Sequence, residues 1–150
     1  MNQLKEKDIY TDEYLDRLEY EAARFRDMLG VTRLGFRKQM TDSLGNVDEM
    51  FVIPKFRCED LDPEGALGDG IHPAFLRNGV EIPYIAIACY QASSGPNSIP
   101  VSKAGVSPWA NITFDNARAN CLKKGEGYHL ITNWEWAVVA LWNAKYGPEV

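Results

Sequence analysis

The sequence predicts an α+β domain, and three features carry that expectation. Residues 11–29 repeat apolar side chains at helical spacing. An Asn78-Gly79 pair stands before a nearly all-apolar, strand-sized run at 82–90. Residues 108–146 hold two helix-sized stretches, each opened by a threonine. Helical periods at the two ends and a turn-bounded apolar run between them call for helices and strands together.

Residues 11–29 form the first predicted helix. Thr11 can cap it, and Asp12 and Glu13 occupy the first turn, where negative charge suits the dipole. Tyr14, Leu18, Ala22, Phe25 and Leu29 make one apolar stripe, widened by Leu15 and Met28, and Gly30 supplies the stop. Two roles are open to this helix: docking on its own domain, or bundling with copies through an assembly face of Tyr14, Leu18, Phe25 and Leu29. Tyr, Ala and Phe in the stripe depart from the Leu and Ile of a strict heptad seam. The chain thus divides into an N-terminal helix at 1–30, a candidate assembly element, and a domain at 31–150.

In the middle of the chain, Asp42, Ser43, Gly45 and Asn46 mark a turn, and 49–56 predicts a strand that breaks at Pro54. Residues 57–70 are acidic and rich in Gly and Pro. Glu59, Asp60, Asp62, Glu64 and Asp69 could offer oxygens to a calcium ion, but the EF-hand spacing is absent. A solvated acidic loop is the preferred reading, and no metal is assigned. His72-Pro73 marks a turn, and Asn78-Gly79 after Arg77 marks a hairpin. The arm at 81–91 has almost no polar residue between Tyr84 and Tyr90, which predicts a strand covered on both faces and therefore central. Residues 91–107 read as loop.

Thr113 can cap a helix running to Lys124, with Asp115 at its positive end, Lys123 and Lys124 at its negative end, and Gly125 as terminator. Phe114, Ala117 and Cys121, with Leu122, are its predicted buried stripe. Tyr128, His129, Leu130 and Ile131 predict a short strand. Thr132 and Glu135 have the spacing of a capping box. They open a helix carrying Trp134, Trp136, Val139, Ala140, Leu141 and Trp142, which ends near Gly147-Pro148.

These last segments carry a resemblance. The string ITFDNARANCLKKGEGYHLITNWEWAVVALW resembles the formylglycine-generating-enzyme/sulfatase-modifying branch of C-type-lectin-like domains. In that family a helix with a central Ala-Arg pair, here Ala117-Arg118, leads to a Leu-Pro-Thr-x-x-Glu-Trp motif. Leu130, Thr132, Glu135 and Trp136 match the motif, and Ile131 replaces its Pro. The upstream strings GIHPAF and NGVEIPYIAIACYQAS are similar to phage and prophage members, including variable proteins of diversity-generating retroelements and tail or receptor-binding proteins. The similarity covers about residues 70–142. It implies a C-type-lectin-like fold of the formylglycine-generating-enzyme subtype, represented by its N-terminal portion. Thr113, Arg118, Leu130, Thr132, Glu135 and Trp136 form its structural motif.

The family's reactive cysteines sit beside an Arg-Gly-Gly-Ser-Trp motif that does not occur here. Cys58, Cys89 and Cys121 are an odd number with no CxxC and no Cys/His cluster. They read as free, mostly buried thiols of a reducing compartment. A reactive cysteine needs a stabilised thiolate and access, and an apolar strand or the buried side of a helix offers neither. The resemblance therefore implies a non-enzymatic phage or prophage structural protein, at a tail or virion surface, with no catalytic residue and no cofactor. Its expected partners are proteins, copies of itself or virion components, and a cell-surface ligand. The alternatives are a truncated relative of the copper-dependent formylglycine-generating oxidases and a small self-associating scaffold module.

Composition narrows the remainder. The chain has 150 residues, a formal net charge of -5 and a pI near 5.0, a balance that disfavours nucleic acid as a partner. No apolar run reaches the roughly 20 residues of a spanning helix, and the polar residues 1–10 predict no secretory signal. Synthesis in a cytoplasm, with or without later assembly into a virion, is the expectation. His72 reads as a turn histidine with a structural hydrogen bond, and His129 as a packing residue. Neither has a Ser or Cys partner for a triad. Trp109, Trp134, Trp136 and Trp142 read as core and interface packing rather than a sugar-stacking platform.

Overall fold

In the computed structural model the described residues are Tyr14, 35–62 and 64–146. Leu18, Phe25 and Leu29 of the predicted assembly face, and the stop at Gly147-Pro148, lie outside them. The architecture is mixed α+β with small antiparallel sheets.

Strands β1 (Phe36–Thr41) and β2 (Val47–Pro54) form a hairpin around the predicted turn. Asp42 builds that turn: its Oδ1 accepts the Leu44 and Asn46 backbone N–H groups, both at 2.9 Å. The sequence does not announce β1, because Arg37, Lys38 and Gln39 blur its alternation. Strand β5 (Tyr84–Ala88) pairs with the other side of β2, giving the order β1-β2-β5. Its predicted central place is thus corrected: among the described residues β5 is an edge strand. Its apolar run reflects cover on both faces, with Tyr84 and Ile85 each 4% exposed.

Strand period sorts the core. Phe51, Ile53, Ile85 and Ile87 line one face of the sheet; Phe36, Met40, Val52, Tyr84 and Ala86 line the other. The predicted strand at 81–91 also breaks at Ile82-Pro83. Its first part, β4 (Val80–Glu81), pairs with β3 (Leu76–Arg77). Asn78 at φ 53 and Gly79 at φ 77 give the two positive angles of a type I′ turn. A second small hairpin, β6 (Ser93–Ser94) with β7 (Pro100–Val101), lies inside the predicted 91–107 loop. The acidic loop contains one turn of helix, α1 (Cys58–Leu61).

Two longer helices follow, α2 (Phe114–Leu122) and α3 (Asn133–Tyr146). Helix α3 closes the first face of the sheet. Val138 and Trp142 join Ile53, Phe56, Phe75 and Ile85 in one cluster, with the Phe56 ring edge-on to Phe75 at 5.1 Å and 5.7 Å from Trp142. Phe75 comes from a 3₁₀ turn, Pro73–Phe75, capped by His72, whose Nδ1 accepts the Ala74 N–H at 3.1 Å. That is the structural hydrogen bond expected of a turn histidine.

Two expectations fail, one at α2 and one just after it. None of the α2 residues is buried, and Phe114, the first of the predicted core stripe, is 70% exposed. Ala117 and Cys121 are half-buried and share the wall of an open groove with Trp109, Ile112 and Leu130, a wall that does not include Phe114. The residues 128–131 also join no ladder; the polar contacts of His129 among them are described next. Among the described residues no helix is long and apolar enough to cross a membrane.

Candidate functional site

The α2–α3 connection is organised by a buried charge cluster. Glu135, 3% exposed, and Thr132 cap α3 reciprocally. The Thr132 N–H donates to Glu135 Oε1 at 2.8 Å, and the Glu135 N–H donates to Thr132 Oγ1 at 3.2 Å. The carboxylate also receives His129 Nε2, 2.9 Å from both oxygens, and Arg77 Nη2 at 3.3 Å. Arg77 is itself buried in β3 and donates from Nη1 to the Ala74 and Leu76 carbonyls. Burial pushes the Glu135 carboxyl up, but the His129 hydrogen bond and charge outweigh it and hold the group below the usual carboxylate range. Glu135 behaves as the cap the sequence indicates. His129 is more than the packing residue expected, since its ring nitrogen lies within hydrogen-bond distance of both oxygens of that cap's carboxylate.

A second cluster fastens α2 to the β-hairpin. Lys124 Nζ donates to Asp42 Oδ2 at 2.9 Å and to the Pro100 carbonyl at 2.6 Å. It lies 2.7 Å from Asp48 Oδ2, at an angle unsuited to a hydrogen bond, so that contact is electrostatic. Asp48 Oδ1 accepts the Ser102 N–H at 2.9 Å. Burial raises the Asp42 carboxyl, and the hydrogen bonds from Lys124 and Asn46 more than reverse it. The Lys124 ammonium also stands 5.4 Å from the centre of the Tyr128 ring. The sequence reading places Lys124 at the negative end of the helix and says nothing of its burial; the structure buries it at 6% exposure.

Against these buried charges stands an exposed apolar set. Trp134 is 58% exposed, Trp136 64%, Ile131 47% and Phe114 70%. Trp142 alone of the α3 tryptophans packs in the core; the Trp134 ring only edges His72 at 6.1 Å. Beside α2 an open groove of about 330 Å³ is walled by Trp109, Ile112, Ala117, Cys121 and Leu130, with the amides of Gln91 and Asn120.

The motif residues therefore divide. Thr113 caps α2, its hydroxyl accepting the Asn116 N–H at 3.2 Å. Arg118 is half-buried on α2, Leu130 walls the groove, Thr132 and Glu135 cap α3, and Trp136 faces outward. Tyr14 is half-buried, packs against the Val52–Tyr84 side of the sheet and lies over Gly127.

Burial pushes the thiols of Cys58, Cys89 and Cys121 up, with Arg37 offsetting part of the effect at Cys89 and Lys124 part at Cys121. Three carboxylates of the acidic loop engage the loop itself. Glu59 receives Arg57 at 2.5 Å and the Gly70 N–H, and the Arg57 contact holds its pKa down at about 2. Asp60 accepts the Arg57 N–H, and Asp62 the Leu67 N–H. Among the described residues no three His, Cys, Asp or Glu side chains converge as a metal would require.

No family model matches the chain, and a search of curated proteins finds no match.

Proposed function

We propose that this chain is a non-catalytic binding module of a phage or prophage particle, placed at a tail or virion surface. Its scaffold is C-type-lectin-like, of the formylglycine-generating-enzyme subtype. It meets a protein partner through the apolar side chains around the starts of α2 and α3. The observation that carries the reading is the exposure of two tryptophans in one helical turn, Trp134 at 58% and Trp136 at 64%. Tryptophan is costly to leave in water and is over-represented at interface hot spots. The buried charges are occupied with capping and fastening, and the thiols are pushed away from the thiolate form, which favours binding over an oxidase role. Tyr14, one member of the stripe offered for self-assembly, packs against its own domain, which favours docking over bundling for that residue.

The test is an antibody against the chain, applied to particles purified after prophage induction in the organism that encodes it. Co-sedimentation with particles and labelling at one structural position are expected, with loss of incorporation for Trp134→Ala/Trp136→Ala. Absence of the chain from every particle fraction overturns the reading.

A further inference from the structure

We propose that His129 and Glu135 form a protonation-controlled clasp that holds the first turn of α3, and with it Ile131, Trp134 and Trp136, in place. The geometry decides the charge state required. His129 Nδ1 lies 2.8 Å from the Gly127 carbonyl oxygen, and Nε2 lies 2.9 Å from both Glu135 oxygens. Carbonyl and ionised carboxylate only accept, so both ring nitrogens must donate, and only the imidazolium does that. A neutral ring would turn a lone pair onto one of these acceptors and surrender that bond.

The clasp has leverage because its parts sit at a junction. Gly127 belongs to the turn after α2, and His129 is followed by Leu130 in the groove wall and Ile131 on the surface. Glu135 lies between Trp134 and Trp136 and holds the Thr132 N–H. Among the described residues the charged groups acting on the ring include Glu135 from α3 and Arg77 from β3, and the Gly127 carbonyl also faces it. Arg77 keeps Glu135 paired when His129 loses its proton, so the device loosens the 127–131 arm and the first turn of α3 without unfolding the helix beyond it.

The direction follows. Burial pushes the His129 pKa down, and the Glu135 hydrogen bond and charge more than reverse it, leaving it above the ordinary 6.5. The clasp is closed below that raised value and opens as pH rises through it. Each unit of elevation makes the closed arrangement about tenfold less favoured once the ring is neutral. The consequence for partner binding rests on the contact face proposed above; the clasp itself does not.

The experiment is hydrogen exchange of the whole chain against pH, corrected for intrinsic rates, alongside an NMR titration of the two imidazoles. His129 is expected to titrate above 6.5 and His72, whose pKa burial lowers, below it. Protection of amides 127–136 should fall by roughly tenfold per unit of elevation across the His129 midpoint, while amides of β2 keep theirs. His129→Lys, a permanent cation, should stay protected over the whole range, and His129→Gln should be unprotected throughout. If a variant fails to fold, the wild-type titration alone decides. A His129 midpoint at or below 6.5, or unchanged protection across it, overturns the clasp. If the clasp behaves as stated but Trp136→Ala leaves particle incorporation intact, the contact face fails and the clasp stands; the reverse outcome separates them equally.

Discussion

Lys124 Nζ lies 2.9 Å from Asp42 Oδ2 and 2.7 Å from Asp48 Oδ2, so one cation at the end of α2 serves two buried carboxylates of the β1–β2 hairpin. Removing it would strand both charges away from water. Lys124→Met is expected to cost about 3–5 kcal/mol in urea unfolding. The triple change Lys124→Met/Asp42→Asn/Asp48→Asn should recover part of that loss, since it leaves no uncompensated charge. A Lys124→Met variant within about 0.5 kcal/mol of wild type would show that the contact is incidental.

Stability should depend on pH with opposite signs at the two ends of the Glu135–His129 pair. Glu135 titrates below its ordinary 4.5, so its contribution is complete above 4.5 and is lost as pH falls through the folded value. His129 titrates above its ordinary 6.5, so its contribution is complete below 6.5 and is lost as pH rises through the folded value. Buried His72 runs the other way, its contribution present above 6.5 and lost as pH falls. The wild-type-minus-His129→Gln difference removes the His72 term. That difference should be largest between about pH 4.5 and 6.5 and shrink at more alkaline pH; a difference that grows above pH 8 would contradict the assignment.

Two phenylalanines separate core from surface. Phe75→Ala, at a position with 0% exposure, should destabilise by about 3–5 kcal/mol. Phe114→Ala, at 70% exposure, should change stability by less than about 0.5 kcal/mol. Equal costs in chemical denaturation would restore the buried stripe that the sequence suggests for α2.

Gly127 has φ 89 and faces the Tyr14 ring. Gly127→Ala therefore meets two obstacles: a left-handed backbone, costing roughly 1–2 kcal/mol, and a clash with Tyr14. In a Tyr14→Ala background the second obstacle disappears, so the same substitution should cost less. Additive effects of the two changes would mean that Tyr14 does not rest on Gly127 in solution.

The thiols give a check on chemical class. Each is pushed up by burial, so at neutral pH all three should react with a disulfide reagent more slowly than free cysteine, with buried Cys58 slowest. A single fast-reacting cysteine in the folded chain would reopen the oxidase alternative.

What the sequence made legible was local. Both capping residues, Thr113 and Thr132, are read from spacing alone, and so are the Asp42 turn and the Asn78-Gly79 hairpin, because each depends on a few neighbouring atoms. Burial was less legible. Phe114, Ala117 and Cys121 share a helix face as their spacing says, but periodicity cannot tell whether anything packs against that face. Tyr84 to Ala88 reads as central since cover from two faces leaves the same apolar signature as neighbours on two edges. The charge clusters were invisible for a different reason. Arg77 meets Glu135 across 58 residues and Lys124 meets Asp42 across 82, and no local pattern encodes a pair so distant.

The Lys124 fastening has a consequence for the order in which the protein comes into being. Asp42 and Asp48 leave the ribosome well before their cation, 82 residues separating Asp42 from Lys124. Until then the nascent hairpin must keep both carboxylates hydrated, and its inward collapse is held back by the solvation they would lose. Low-cost burial of both carboxylates therefore waits until the segment around Lys124 is free to pack on the hairpin, which makes this a late, non-local contact.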